Sequence, residues 1–363
     1  MWVQMGQYTF STSATPALTA LGLATLVPPT VLLMLPGAKT DRFFLRIVPA
    51  VLQSQLMSKT AFVFPGQGSQ FAGMGASLAE TYPEARQVFA QADAALGFSI
   101  SKLCFEGPED QLKLTENTQP ALLAVSIAAN AVLRSHGIAP DFVAGHSLGE
   151  YSALVAAGSL DFGAALRLVR GRGRYMQEAV PAGVGAMAAL LKLPEGELDR
   201  VLAEAAQGEV VAAANFNTPD QVVIAGHAGA VNRAVELAKA AGARRAVLLQ
   251  VSAPFHCLLM QPAQARLKPD LDAALFRDLT IPLVNNWQAR EIRSGADARE
   301  GLFQQIPNPV RWTETIRRLA DLGVRRFIEA GAGSVLTGLG RNIDPELAGF
   351  KFGEAADLEK ILG

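Results

Sequence analysis

Phe142-Val143-Ala144-Gly145-His146-Ser147-Leu148-Gly149-Glu150-Tyr151 opens with a short apolar run, passes through Gly-His-Ser-Leu-Gly and leads into the small-residue helix pattern Ser152-Ala153-Leu154-Val155-Ala156-Ala157. Strand, sharp turn and helix in that order make a nucleophile elbow. The serine sits on a tight, strained turn, and Gly145 and Gly149 flank it because side chains there would meet the neighbouring strand and helix. A helix that starts just after the serine aims backbone N–H groups at negative charge developing near Oγ. The competing reading is an ordinary strand-to-helix turn with a capping serine.

The composition narrows what surrounds this turn. The chain has 363 residues, 50% of them hydrophobic, which is enough for a sizeable core and about two domains. Its formal net charge of -1 gives no basic field for nucleic acid or an anionic membrane. Its two cysteines, Cys104 and Cys257, make no disulfide framework, and no metal-type Cys/His spacing appears. A reduced, cytoplasmic setting and a monomer are expected.

Residues 1–38 carry no charged side chain, and 17–36 are strongly apolar. Pro28-Pro29 interrupts the run, and no positive charge precedes it as a signal peptide requires. Met57 then runs directly into a core-strand pattern. Residues 1–56 are expected to be an extension outside the fold, with a membrane anchor as the alternative.

Thr60-Ala61-Phe62-Val63-Phe64 is a buried-strand pattern followed by Pro65-Gly66-Gln67-Gly68-Ser69-Gln70. The glycines allow close backbone approach. A phosphate loop is one reading, but the P-loop spacing and lysine are missing. The other is a loop lending a backbone N–H to a site at the carboxyl ends of the strands. A helix is expected over 84–96, and a second that ends at Thr118-Gln119-Pro120 and restarts at Ala121. His136-Gly137 reads as a helix C-terminus.

Three stretches now stand in order: Phe-Val-Phe-Pro-Gly-Gln-Gly-Ser-Gln at 62–70, Thr-Gln-Pro-Ala-Leu-Leu at 118–123 and Gly-His-Ser-Leu-Gly-Glu-Tyr-Ser-Ala-Leu at 145–154. Together they resemble the malonyl-CoA:acyl-carrier-protein transacylase family, over the chain from about Met57 to its end. The resemblance implies a malonyl transfer from malonyl-CoA to the phosphopantetheine thiol of acyl carrier protein, for fatty acid synthesis. The CoA thioester and the phosphopantetheine thiol enter as substrates, so no cofactor and no metal is implied.

The family's Arg-Gly-x-x-Met-Gln context places one buried arginine, and Arg172 matches it within the run Arg167 to Gln177. A guanidinium grips a carboxylate with two parallel hydrogen bonds, and a malonyl group ends in one. On composition alone the same arginines read as a solvated helix face.

Residues 183–252 read as a separate unit of strand 185–191, helix 195–206, strands 210–215 and 221–225, helix 229–241 and strand 245–251. That order is ferredoxin-like, and the resembling family carries such an insertion. The expected fold is α/β: a parallel-sheet, hydrolase-like larger domain from 57–182 and 253–363, with the ferredoxin-like subdomain inserted at 183–252.

Ser252-Ala253-Pro254-Phe255-His256-Cys257 follows and matches the family segment with the catalytic histidine. Among four histidines, His256 is the best general base. His227 stands where it would cap a helix, and His146 points away from its neighbour Ser147, toward the acyl pocket. Neighbours in extended chain project to opposite sides, so Cys257 reads as a buried thiol and no partner of His256. The segment Gln304 to Trp312 matches the family's support for the histidine, where Gln305 offers its backbone carbonyl. The resemblance further assigns backbone N–H groups of Gln67 and Leu148 to the oxyanion, and Arg172, His146, Gln119 and Phe255 to the substrate. Leu after the serine and Phe before the histidine accompany malonyl in the family, where Gln and Ser accompany methylmalonyl. Ala332 departs from the family's usual Gly-Pro-Gly at the last turn, away from the chemistry.

Two other functions share part of this pattern. A serine hydrolase has the same elbow but places an acid between serine and histidine. Asp199 and Asp220 fall there without a supporting motif. A non-catalytic acyl-CoA-binding protein has no need of both Ser147 and His256.

Overall fold

The computed structural model of the chain describes residues 58–181, 183–251 and 253–362. The expectation for residues 1–56 therefore lies outside the described residues.

The larger sheet grows around the strand foreseen at Thr60, which is β1 (Lys59–Phe64). Its neighbours are β2 (Phe142–Gly145), β7 (Leu283–Val284), β8 (Glu291–Ile292), β9 (Val324–Ala330) and β10 (Ala348–Phe352). They lie in the order β10-β9-β1-β2-β7-β8. Every pairing is parallel except β7 with β8. A parallel sheet is covered on both faces, and β1 reads that way. Phe62 and Phe64 pack into one core with helix Thr115–Ser135, whereas Ala61 and Val63 join Trp312, Ile316 and Leu319 in another.

The second sheet has the antiparallel order β4-β5-β3-β6, built from β3 (Gly185–Leu191), β4 (Val211–Thr218), β5 (Gln221–His227) and β6 (Arg245–Leu248). Helices Glu197–Ala206 and Ala228–Ala240 complete the ferredoxin-like β-α-β-β-α-β unit and share a core with Leu190, Ile224 and Ala246. Its other face joins the main body: Met187, Ala214 and Ala225 belong to the same apolar cluster as the larger domain's helices. Phe216 N–H also donates to Val310 O at 2.9 Å, and Val310 N–H to Ala214 O at 2.9 Å.

Two expectations need correction. The helix does not break at Pro120 but runs unbroken from Thr115 to Ser135. A proline near a helix start forfeits few hydrogen bonds, and the buried packing of Thr118, Gln119 and Ala121 outweighs its breaker tendency. The strand expected over 245–251 ends at Leu248, because Leu249, Gln250 and Val251 turn to line a cavity. Beyond Ile281 the chain forms the short strand β7 and turns at Asn285-Asn286. Among the described residues, no helix is long and apolar enough to cross a membrane.

Candidate active site

The carboxyl ends of β1, β2 and β7 deliver three loops to one place: Gln67 after β1, Ser147 after β2 and Asn286 after β7. Such an edge is where open parallel sheets bind ligands. Ser147 sits at φ 50, in the left-handed region that L-residues rarely adopt. Closeness to β1 and to the following helix forces the flanking glycines. A Cβ on Gly145 would lie 2.0 Å from Gly149 O, and one on Gly149 would lie 2.0 Å from Phe64 O.

Ser147 Oγ lies 2.7 Å from His256 Nε2, and His256 Nδ1 lies 3.0 Å from Gln305 O. A carbonyl only accepts, so Nδ1 carries the proton and Nε2 is left to take one from the serine hydroxyl. His256, itself at φ 59, is held in this pose by a backbone carbonyl and, among the described residues, by no carboxylate. Burial and then the positive charge of Arg172 push its pKa down to about 3. The imidazole is therefore neutral, the form a base requires.

Arg172 comes from the inner face of helix Phe162–Glu178 and is 1% exposed. Its Nη1 donates to Gln119 Oε1 at 2.8 Å, and its Nη2 donates to Gln305 Oε1 at 2.9 Å and to Ser147 Oγ at 3.1 Å. No carboxylate is among these partners, so the guanidinium is a buried cation suited to an incoming anion.

A cavity of about 360 Å³ opens over the pair. Gln67, Gln119, His146, Ser147, Leu148, Arg172, Phe255 and His256 all line it. Ser147 N–H is engaged by Asn286 Oδ1 at 2.7 Å, which removes it as an oxyanion donor. Among the described residues, the backbone N–H groups of Gln67 and Leu148 have no such partner. Helix Phe162–Glu178 also borders a cavity of about 500 Å³ with Arg167, Arg170 and Arg174 on its wall, but the serine–histidine pair is not part of that lining.

The remaining histidines and cysteines fall elsewhere. His146 turns its Nε2 to Asn217 Oδ1 at 2.9 Å, away from the serine, while still lining the cavity. His227 holds the N-cap position of helix Ala228–Ala240 but makes no side-chain cap; its Nδ1 accepts from Val210 N–H at 2.9 Å. His136 ends its helix as expected, with Nδ1 2.9 Å from Val132 O. Cys257 is a buried thiol whose Sγ donates to Pro254 O at 3.1 Å. Asp220 pairs with Lys192 at 3.6 Å in the small unit. Among the described residues, no group of three or more His, Cys, Asp or Glu could hold a metal ion.

Two buried residues at the site were not singled out by the sequence reading. Asn286 joins the elbow to β7: its Oδ1 takes Ser147 N–H, and its Nδ2 donates to Gly145 O at 2.6 Å. Glu150 is 1% exposed, and its Oε2 accepts from Asn286 N–H at 3.0 Å and from Gln305 Nε2 at 2.9 Å. Glu150 did leave a signal, being the only acid or permanent cation between Phe142 and Leu160. Asn286 left none, because one asparagine at a strand end reads as an ordinary turn.

The family model of the acyl transferase domain matches residues 61–343. The malonyl CoA-acyl carrier protein transacylase of Escherichia coli (strain K12) is 48% identical over 307 residues, covering 84% of this chain and 99% of that protein. That of Bacillus subtilis (strain 168) is 50% identical over 292 residues, covering 80% and 92%. Among solved structures, an acyl carrier protein S-malonyltransferase from Vibrio cholerae superposes with a TM-score of 0.82 at 47% identity, covering 84% of this chain and 100% of that one. A malonyl-transacylase solved in complex with its type II PKS acyl-carrier protein superposes with a TM-score of 0.82 at 48% identity, covering 84% and 99%.

Proposed function

This chain belongs to the acyl transferase domain family, and from that premise we propose that it transfers malonyl from malonyl-CoA to the phosphopantetheine thiol of an acyl carrier protein. The reaction runs through a malonyl-serine intermediate and supplies fatty acid synthesis. The observation that carries this reading is the position of Arg172: a buried guanidinium hydrogen-bonded to no carboxylate among the described residues, 3.1 Å from the nucleophile's oxygen. A hydrolase acting on neutral acyl groups has no use for such a cation.

Ser147 Oγ attacks the thioester carbonyl carbon as its proton passes to His256 Nε2. The backbone N–H groups of Gln67 and Leu148 receive the oxyanion, each worth roughly 3–4 kcal/mol. The tetrahedral intermediate collapses, the carbon–sulfur bond breaks, and the CoA thiolate takes the proton from His256. The phosphopantetheine thiol then gives its proton to His256, and its sulfur attacks the malonyl ester. Ser147 leaves and regains the proton. Arg172 and Gln119 hold the carboxylate end, and His146 and Phe255 wall the acyl pocket. Gln305 keeps the imidazole in its reactive tautomer. No cofactor enters this scheme. Residues 57–182 with 253–363 act as the larger domain, 183–252 as the insert, and the protein works as a cytoplasmic monomer.

Intact-protein mass spectrometry tests the scheme. Mixing with malonyl-CoA gives a malonyl adduct on Ser147, and adding carrier protein discharges it onto the carrier. An adduct that yields only free malonate in the presence of carrier protein overturns the transfer reading in favour of hydrolysis.

A further inference from the structure

Gln305 serves this site twice. Its backbone carbonyl holds His256, and its side-chain amide lies between Arg172 and Glu150. An amide can be placed either way round, and its neighbours decide which. On the nitrogen side stand only acceptors: Glu150 Oε2 at 2.9 Å, Ser147 O at 3.0 Å and Asn286 Oδ1 at 3.3 Å. On the oxygen side stands Arg172 Nη2, which can only donate. Glu150 supplies the one anionic acceptor, and it also takes Asn286 N–H at 3.0 Å, which steadies the residue carrying a second.

We propose that Glu150 is a positioning residue for acyl selectivity: it fixes the Gln305 amide with its oxygen toward Arg172 and thereby sets the guanidinium for the substrate's carboxylate. This rests on the malonyl reading above. Glu150 stands three residues past the nucleophile and reaches, across more than a hundred residues of sequence, both the β7 turn and the end of helix Gly295–Gln305. Its second oxygen, Oε1, is buried with no partner among the described residues. An unsatisfied buried oxygen costs stability, so stability alone does not account for a carboxylate here. Burial raises its pKa to about 7. Protonation at the unpartnered Oε1 leaves Oε2 an acceptor, so the relay holds in either state.

The test measures carrier-protein loading from malonyl-CoA and acetyl-CoA with the full chain, wild type against Glu150→Ala, Glu150→Asp and Glu150→Gln. Glu150→Ala lowers the malonyl-to-acetyl ratio of kcat/KM by about tenfold, the scale of one hydrogen bond to a charged group. Glu150→Asp, a methylene short of Gln305, lowers it as well and decides the matter should the alanine variant not fold. Glu150→Gln, which keeps an acceptor in place, stays within about threefold of wild type. On an Arg172→Ala background, Glu150→Asp changes the ratio no further, because its route to the substrate is gone. An unchanged ratio in Glu150→Asp, or equal losses for both substrates, overturns the proposal. So does a glutamine variant as unselective as the aspartate one. A wild-type protein that loads no malonyl at all fails the functional reading instead, and the two failures are told apart by that control.

Discussion

Arg172 Nη2 donates to Ser147 Oγ at 3.1 Å. The group that would hold the substrate's charged end therefore rests on the hydroxyl proposed as the nucleophile. A carboxylate reaching this guanidinium belongs to an acyl group whose charge lies close to its reacting carbonyl, as in malonyl. Replacing the serine contact by a paired carboxylate gives the buried cation a counter-charge, which acetyl cannot do.

Arg172→Ala is therefore expected to depress malonyl loading by about a hundredfold, since two hydrogen bonds to a charged group are lost together. Acetyl loading should stay equal or rise, because an unpaired buried cation has been removed. Steady-state kcat/KM for the two CoA thioesters measures this. A variant that still preferred malonyl to the wild-type degree would falsify the assignment of the carboxylate to Arg172.

Ser147 Oγ and His256 Nε2 stand 2.7 Å apart, the spacing of a nucleophile and base that would act as one unit. Ser147→Ala should abolish the acyl-enzyme and leave the fold intact, and His256→Ala should slow acylation by several orders of magnitude. The double variant should be scarcely slower than the worse single one, as for other nucleophile–base pairs. Acyl-enzyme formation followed by mass spectrometry, with circular dichroism as the control for folding, distinguishes this from losses that multiply.

The pH profile of acetyl transfer should report the electrostatics of His256. Burial and then Arg172 push its pKa down to about 3, so the neutral base persists well below the ordinary value near 6.5. Activity in kcat/KM is retained above the lowered pKa and lost only as pH falls through it. Arg172→Ala removes a lowering cause, so the acid limb should move to higher pH in that variant. Acetyl-CoA is the substrate of choice here because it brings no carboxylate of its own. A limb that stays put or moves lower contradicts the role of Arg172 in setting the base.

Gly149→Ala tests the elbow itself. Its Cβ would stand 2.0 Å from Phe64 O, and backbone has no easy way to yield. A loss of stability of ~3 kcal/mol is expected from such overpacking, read as a shifted denaturation midpoint. An unchanged midpoint would mean that β1 and the elbow helix are less closely set than this.

Phe255 and Leu148 line the cavity beside the serine, and Phe255 is 8% exposed. The ring should crowd the extra methyl of methylmalonyl. One such group is worth about 1–3 kcal/mol, so methylmalonyl should be a poor substrate of the wild type and a better one of Phe255→Ser. Loading assays with both diacyl thioesters decide it; equal discrimination in the variant would move the steric wall elsewhere.

The elbow, the buried first strand and the ferredoxin-like order were legible in the sequence because each is a local matter. Period-two apolar runs, glycine spacing and turn residues act over a few positions, and β3 spans the very residues 185–191 that its pattern marks. The helix across Pro120 was misread because packing of the buried residues around it overrides a local breaker. Ser147 and His256 could be picked out one by one, from motif and resemblance. Their 2.7 Å contact, the anchoring of the imidazole on a backbone carbonyl and the neutral hydrogen-bond partners of Arg172 were decided by the tertiary structure. So were the partners of Asn286 and Glu150, each bonded to residues more than a hundred positions away. Hydrogen bonds reach about 3 Å in space whatever the separation along the chain. Only the folded sheet, by bringing the ends of β1, β2 and β7 to one edge, gives those side chains their partners.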